Sequence, residues 1–285
     1  MTNGVILHLS DLHFGKHADL EQLAVLERVV PTIEAAAIVI SGDLTQRARH
    51  GEFQAALCLI DRIRAHAPTL VIPGNHDIEW WQSPLGIRGE RKKYGKYLRY
   101  FHELHPVLEL PGMVIAGALS SYGIAPGSLT WNLNDLSVKG HLPRRETERV
   151  RKVFAAAPPG AARVLVIHHN ILRGALSRRM GLARWRAAHR RLLATGADLV
   201  LCGHDHHEGA GQLEGRITVS TSGTHSFRMR GGRASAFNVV RIEPTVIHIQ
   251  HWRWEADQRR FQPSDRFSFA RQASPEPVVS LVDGV

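Results

Sequence analysis

The chain has 285 residues, of which 44% are hydrophobic and 22% charged, and its formal net charge is +10. This composition can bury a core and excludes a disordered chain, and no apolar run approaches the ~20 residues of a membrane span. Residues 1–4 lack the basic start of a secretory signal. Cys58 and Cys202 lie in apolar runs without metal-site spacing, so we expect two small buried cysteines and a cytoplasmic location.

Strands and helices alternate through the first 75 residues. Apolar runs at residues 5–9, 37–40 and 70–72 predict buried parallel strands. Helical spacing of apolar residues at 19–28 and 52–65 predicts the helices between them, and Pro31 is expected to end the first. Asp11, Asp43 and Asn75 follow one another at intervals of 32 residues, which is about the span of one βαβ unit.

The rest of the chain is less regular. The pattern predicts loops at 78–92 and 121–142, helices at 94–104, 144–156 and 180–194, and strands at 113–118, 164–167 and 199–202. Three further strands are predicted at 217–221, 236–242 and 246–254. We therefore expect an α/β fold with one domain over residues 1–256. Residues 257–285 form a polar tail that we expect to be partly disordered.

The positive charge is concentrated in one segment. Residues 144–191 contain 13 Lys and Arg residues against two Glu residues. Such a surface attracts nucleic acid, phosphorylated small molecules or an anionic membrane face. An ordinary solvated helical face in an Arg-rich protein is an equal alternative, and the sequence leaves both open.

Five short polar motifs follow apolar runs, where the carboxyl ends of strands commonly bind ligands. They are Asp11-Leu12-His13, Gly42-Asp43, Gly74-Asn75-His76-Asp77, His168-His169 and Gly203-His204-Asp205-His206. Carboxylate, imidazole and amide groups without thiolates suit Mn, Fe, Co or Zn. The candidate ligands are Asp11, His13, Asp43, Asn75, His168, His204 and His206. Seven side chains are too many for one ion and suit two ions that share a bridging carboxylate, for which Asp43 is the candidate.

The motifs also suggest a reaction. Two ions ~3.5–4 Å apart can clamp the attacking and leaving oxygens of a phosphoryl displacement, and a water between them becomes the nucleophile near neutral pH. His76 neighbours the ligand Asn75, so its ring is expected to face the substrate and donate a proton to the leaving oxygen. Asp77 is expected to orient the His76 imidazole.

In this order, the motifs closely resemble those of the calcineurin-like metallophosphoesterases, over residues 5–221. The resemblance implies a four-layer α-β-β-α sandwich, with two mixed β-sheets flanked by helices and a dinuclear site at a sheet edge. It assigns one metal to Asp11, His13, Asp43 and His206, the other to Asp43, Asn75, His168 and His204, and catalysis to His76. We expect two divalent ions, Mn or Fe, with Zn or Co as alternatives.

The fourth motif leaves two histidines to choose between. The family often has Pro soon after this His, where the present chain has Asn170. Either His168 or His169 can therefore be the ligand. We prefer His168, because it directly ends the apolar strand.

Several substrates fit the family. The Gly-Asn-His-Asp pattern with a short C-terminal β-region is most similar to bacterial class III cyclic nucleotide phosphodiesterases, which implies a nucleotide-like or other small anionic diester. A DNA exonuclease-like nuclease is an alternative, but the chain shows no DNA-capping domain, so nucleic acid is a less favoured partner. A lipid-linked pyrophosphate hydrolase similar to the UDP-diacylglucosamine hydrolases would make peripheral membrane contact through residues 171–193. That family usually has Arg at the position of His76.

Basic residues near the motifs are the candidate substrate-binding groups. Arg91 and Lys92 follow the third motif, and Arg178 and Arg179 follow the fourth. We expect them to contact a phosphate or carboxylate of the substrate. His207 and His225 are weaker candidates for residues that line the site. A scaffold that has lost its chemistry is the non-enzyme alternative, and the complete ligand set argues against it.

Overall fold

The computed structural model describes residues 4–79, 90–123, 139–174, 178–227 and 232–271. Its strands are β1 (Gly4–Leu9), β2 (Ala37–Ile40), β3 (Thr69–Val71), β4 (Val107–Leu110), β5 (Met113–Gly117), β6 (Ala162–His169), β7 (Leu199–Gly203), β8 (Gly209–Leu213), β9 (Ile217–Thr221), β10 (Ala236–Ile242), β11 (Val246–Glu255) and β12 (Arg260–Ala270). Its α-helices are α1 (Leu20–Val29), α2 (His50–Ile63), α3 (Glu90–Phe101), α4 (Arg144–Ala155) and α5 (Trp185–Leu193).

The strands form two six-stranded mixed sheets. The first has the order β12-β11-β10-β1-β2-β3, with β1, β2 and β3 parallel and β10 to β12 antiparallel. The second has the order β4-β5-β6-β7-β9-β8, with parallel pairing from β5 to β9 and antiparallel pairing at both edges. Parallel pairing aligns the carboxyl ends of the motif-bearing strands within each sheet.

The core has three apolar layers, which confirm the predicted four-layer sandwich. The middle layer lies between the sheets and includes Ile6, Val39 and Val164. One outer layer packs α1 and α2 on the first sheet, and the other packs α4 and α5 on the second. The strands that lead into the five motifs are largely buried, so the motif residues are polar groups at the ends of apolar strands.

Local chemistry explains where the helices begin and end. The Asp19 side chain accepts a hydrogen bond from the Gln22 amide at 3.1 Å and caps α1. Pro31 lies in a 3-10 turn that ends this helix, as predicted. Helix α5 begins at Trp185 rather than at residue 180. Two features prevent an earlier start, because Leu182 pairs with Gly140 in a β-bridge and the backbone of Arg184 is in the left-handed region, with φ of 49°. None of the helices in the described ranges is long and apolar enough to cross a membrane.

Other expectations were wrong. Residues 90–92 belong to α3, where a loop was expected, and strands β4 and β8 were not predicted. Within the tail that was expected to be partly disordered, residues 260–270 form the edge strand β12, because Phe261 and Phe269 pack against the core while the polar residues face solvent. Residues 272–285 lie outside the described residues. Cys202 is buried as expected, but Cys58 is exposed on α2.

Candidate metal centre

The loops after five strands meet at one edge of the sandwich and bring the predicted ligands together. The potential ligand atoms form two groups, and within each group all the atoms lie within 4.8 Å of one another. The first group is Asp11, His13, Asp43 and His206, and the second is Asp43, His168 and His204. Asn75 joins the second group, since its Oδ1 lies 3.1 Å from His168 Nε2 and 3.0 Å from His204 Nδ1.

The first group presents two imidazole nitrogens and two carboxylates to a common point. His13 Nε2 and His206 Nε2 lie 3.0 Å apart, and Asp11 Oδ1 lies 3.2 Å from the latter. Asp11 Oδ1 is buried, and no group in the described part of the chain donates a hydrogen bond to it. An orphaned buried carboxylate oxygen is costly, and a cation at this point would satisfy it together with both imidazole lone pairs. The donor set therefore fits a divalent metal.

The second group is oriented by the backbone. His168 Nδ1 donates a hydrogen bond to the Ser41 carbonyl at 2.9 Å, which leaves Nε2 as the nitrogen that faces Asp43 and Asn75. A backbone carbonyl on the second imidazole nitrogen is a common way to fix the tautomer of a ligand histidine. This group also fits a divalent metal, with nitrogen and oxygen donors only.

Asp43 is shared by both groups through a single oxygen. Its Oδ2 lies 3.8 Å from His13 Nε2 and 3.3 Å from His168 Nε2, while Oδ1 accepts a hydrogen bond from the His76 amide. Burial opposes the charged form, but the His168 and His76 rings nevertheless hold the pKa of Asp43 below its usual range. The carboxylate is therefore charged at neutral pH and placed to bridge two cations.

The histidines of the two groups differ in pKa. Burial lowers the pKa of His13 to about 4 and holds that of His204 well below its usual value. Burial also acts against the charged form of His168, but Asp43 outweighs it and raises the pKa to about 9. His13 and His204 are therefore neutral at pH 7, as metal ligands must be, while binding at His168 displaces a proton.

The motif loops adopt backbone conformations that are unfavourable without compensation. Five of the predicted ligands have positive φ angles, between 47° and 72°; they are Asp11, His13, Asp43, His204 and His206. Each such residue costs on the order of 1–3 kcal/mol. Strain concentrated in this way is typical of a functional site, since the surrounding structure must hold it in place.

Glycines allow these loops to approach closely. A Cβ at Gly74 would overlap the carboxylate and amide nitrogen of Asp43, and one at Gly203 would overlap Ser10 and Asp11. The glycines of the third and fifth motifs are thus required by contact with the predicted ligands, rather than by turn geometry alone.

The choice between His168 and His169 follows from the direction of the side chains. His168 lies in the second group, whereas His169 Nδ1 is hydrogen-bonded to Ser120 Oγ at 2.9 Å and its ring packs against Gly140. The geometry favours His168, as preferred from the strand pattern.

His76 lies at the margin of the first group and is partly exposed. Its ring is edge-on to His13, with centroids 4.9 Å apart. Nδ1 donates to the Gln46 carbonyl at 2.8 Å, which fixes the ring and directs Nε2 away from this carbonyl. The position suits a group that contacts substrate beside the metals.

Asp77 does not have the expected role. Its carboxylate accepts hydrogen bonds from the amides of Leu44, Thr45 and Gly74, at 2.8–3.0 Å, and from the Thr45 hydroxyl at 2.9 Å. The Gln46 carbonyl, and not Asp77, orients the His76 ring. Asp77 therefore fastens the second motif to the third, which the sequence could not reveal because its partners are backbone groups.

Sequence reasoning also missed the residues behind the ligands. Thr224 Oγ1 donates to the Asp11 carbonyl at 2.7 Å, and the His225 amide donates to it at 3.3 Å. These two bonds fasten the Asp11 main chain, while the Ser41 and Gln46 carbonyls orient the His168 and His76 rings. The sequence signal for these supporting residues is the short polar side chains that follow β2 and β9.

The four predicted substrate-binding residues do not belong to the two groups of potential ligands. Arg178 and Arg179 are exposed, and the main chain of each is hydrogen-bonded to Gly174. Arg91 and Lys92 lie on α3, and their side chains fall outside the described part. Their contact with substrate stays a prediction. His225 is buried behind Asp11 against Phe237, and His207 lines a cavity together with Asn170 and Asp205.

Known proteins share this architecture. Residues 4–208 match the family model for calcineurin-like phosphoesterases. No curated protein matches the chain. Among solved structures, a dimetal phosphatase from Danio rerio is 11% identical with a TM-score of 0.62, covering 95% of this chain and 100% of that one. Purple acid phosphatase PPD1 from yellow lupin is 12% identical with a TM-score of 0.65, covering 94% and 53%. At these identities the two structures show the fold.

The family match covers most of the chain and includes all the grouped residues. Both sheets, the strand-end loops and the two groups that share Asp43 have the arrangement expected from the motifs. The chain belongs to the calcineurin-like phosphoesterase family.

Proposed function

We propose that the chain is a dinuclear metal-dependent phosphodiesterase that hydrolyses a small, nucleotide-like anionic diester. The observation that carries the proposal is the carboxylate of Asp43, which belongs to both groups of potential ligands. Two bound ions, of the Mn or Fe type, would polarise the phosphoryl oxygens and lower the pKa of a water molecule.

The protein's own groups complete the proposed reaction. The Gln46 carbonyl holds His76 by Nδ1, so that Nε2 is available to contact a phosphoryl oxygen or to protonate the leaving alcohol. The Ser41 carbonyl holds the His168 ring against rotation, and the His204 amide donates to Asp11 Oδ2 and holds that carboxylate. Arg178 and Arg179 are proposed to attract the anionic substrate.

A nuclease is the second candidate, and the observation that favours it is the surface of α4 and α5. Arg151, Lys152, Arg186 and Arg190 are exposed on these helices. Segments that precede the two helices pair through Gly140, whose Cα packs against the ring of His169. The basic surface thus begins beside the metal centre, where a phosphate backbone can approach it.

Hydrolysis of a generic aryl phosphodiester beside the matching monoester tests the proposal. Chelated protein is assayed before and after resupply with Mn²⁺. We expect metal-dependent turnover that is faster on the diester, and His76→Ala should lower kcat about 10²–10⁴-fold without loss of bound metal.

The matched control is His66→Ala, which removes an exposed imidazole from the loop after α2. Equal turnover with and without metal would contradict the dinuclear mechanism. Faster turnover of the monoester would contradict the diester assignment, and processive cleavage of DNA would favour the nuclease.

A further inference from the structure

A second cleft lies on the outer face of the first sheet, away from the metal centre. It has a volume of about 310 Å³ and is lined by the 3-10 turn after α1 and by residues of β1, β10, β11 and β12. Val5 on β1 lines the cleft, and the predicted ligand Asp11 follows it by six residues. At the rise of an extended strand, Asp11 is about 20 Å from Val5. The cleft is therefore separate from the site described above.

The floor of the cleft is apolar. Ile33, Val239 and Trp252 are partly buried side chains that line it, and Pro263 is exposed beside them. The Trp252 ring is stacked on Phe237, with centroids 5.6 Å apart and an interplanar angle of 17°. The indole is thus held in place, and its remaining surface is available to a ligand.

Two arginines at the cleft have no internal partner. Arg241 on β10 and Arg266 on β12 are exposed, and within the described residues neither guanidinium makes a hydrogen bond or an ion pair. The strand register places their Cα atoms about 12 Å apart, across β11. Two long side chains at this separation can converge on one anionic group between them.

A bulge in β12 creates this combination. Gln250 pairs with Arg266 and Trp252 pairs with Pro263, so β12 has one extra residue between these pairs. In a regular strand, residues 263 and 266 would face opposite sides of the sheet. The bulge places the proline and the arginine on the same face, and bulges commonly redirect side chains toward binding sites.

Other polar side chains at the cleft already have hydrogen-bond partners. His248 Nδ1 is hydrogen-bonded to Ser268 Oγ at 2.7 Å, and its Nε2 lies 3.8 Å from Glu243. Gln250 donates to the carbonyls of Ser264 and Asp265. The two guanidinium groups therefore dominate the charge that a ligand would meet.

We propose that this cleft binds a small amphipathic anion, with an aliphatic or aromatic body on the Trp252 floor and a carboxylate or phosphate between Arg241 and Arg266. An anion without an apolar body would leave the floor in water, and a neutral apolar ligand would leave both guanidinium groups unpaired. Each methylene that the floor covers strengthens binding by about fourfold.

Isothermal titration of the chelated full-length chain tests this site without catalysis. The probes are octanoate and adenosine 5′-monophosphate, with acetate and inorganic phosphate as anions that lack the apolar body. We expect at least one probe to saturate one site per chain at a concentration tenfold or more below its control anion. Tighter binding of octanoate would indicate a ligand with an aliphatic body and a carboxylate. Tighter binding of the nucleotide would indicate one with an aromatic body and a phosphate.

Substitution locates the binding. The double variant Arg241→Ala, Arg266→Ala should weaken the tighter probe at least tenfold. Arg99→Ala with Arg216→Ala removes the same charge from exposed positions on α3 and between β8 and β9, neither of which lines the cleft, and should leave the affinity unchanged. Absence of saturation by both probes, or equal affinity of the Arg241/Arg266 variant and wild type, would overturn the proposal.

Discussion

Asp43 and Asp77 are both buried aspartates in the motif loops, yet their surroundings give them different roles. Asp43 lies among imidazole rings, whereas the Asp77 carboxylate is surrounded by backbone amides. The seven candidate ligands could be predicted from residue type and position after strands. The role of Asp77 could not, because its partners are main-chain groups that every sequence contains.

Replacement of Asp77 should therefore affect stability first. Asp77→Ala leaves the amides of Leu44, Thr45 and Gly74 without their acceptor and removes one of the two acceptors of the Thr45 hydroxyl. At ~1 kcal/mol for each hydrogen bond, the free energy of unfolding should fall by about 3–5 kcal/mol, as measured by urea denaturation. Asp61→Ala, at an exposed position on α2, is the control. Unchanged stability with lost activity would instead support the catalytic role first expected for Asp77.

At the scale of elements, the strands that carry ligands were predictable and the edge strands were not. Strands such as β2 and β7 are continuous apolar runs buried on both faces. Strand β8 contains two glycines, and β12 contains Pro263 and several charged residues, because each lies at a sheet edge with one side open. Edge strands need little apolar surface, so hydrophobic pattern alone does not reveal them.

The loops that join these strands to the metal centre leave no room for a side chain at Gly74. Gly74→Ala introduces a Cβ that overlaps Asp43, so the second and third motifs must separate. We expect Mn²⁺ affinity to fall at least tenfold, measured by isothermal titration. Gly51→Ala is the matched control, since a Cβ there meets nothing within 4 Å and Ala favours the helix. Wild-type affinity in the Gly74 variant would show that the loops adjust without cost.

At the scale of the whole molecule, a buried polar network connects the two sheets beneath the metal centre. His8 on β1 is hydrogen-bonded to Ser41 at 3.1 Å and to Ser220 on β9 at 3.0 Å. Asn238 donates to Ser220 and is hydrogen-bonded to His251 on β11. The order of the motif strands follows from the family pattern, but this network joins residues over 200 positions apart and has no local signal in the sequence.

The network predicts a pH dependence of stability. Burial lowers the pKa of His8 to about 3 and that of His251 to about 4, from 6.5. As the pH falls, these two histidines therefore bind protons in the unfolded chain before they do so in the folded chain. Their contribution to the free energy of unfolding is complete above pH 6.5 and decreases as the pH falls toward 4. The free energy of unfolding should decrease by roughly 1.4 kcal/mol per pH unit for each histidine.

Urea denaturation of the chelated protein at pH 7, 6 and 5 measures this slope. His251→Gln should reduce it by the contribution of one proton. Equal slopes in His251→Gln and wild type would mean that His251 is accessible to protons in the folded chain.

The measurement that tests the central claim most directly is the number of metal ions bound per chain. Elemental analysis of Mn²⁺-loaded protein, after removal of free metal, should give about two ions for wild type and for the surface control Asp61→Ala. In Asp43→Ala both groups lose their shared carboxylate, so the content should fall below one and turnover should be abolished. One ion or fewer in wild type, or two ions with full activity in Asp43→Ala, would contradict a dinuclear centre bridged by Asp43.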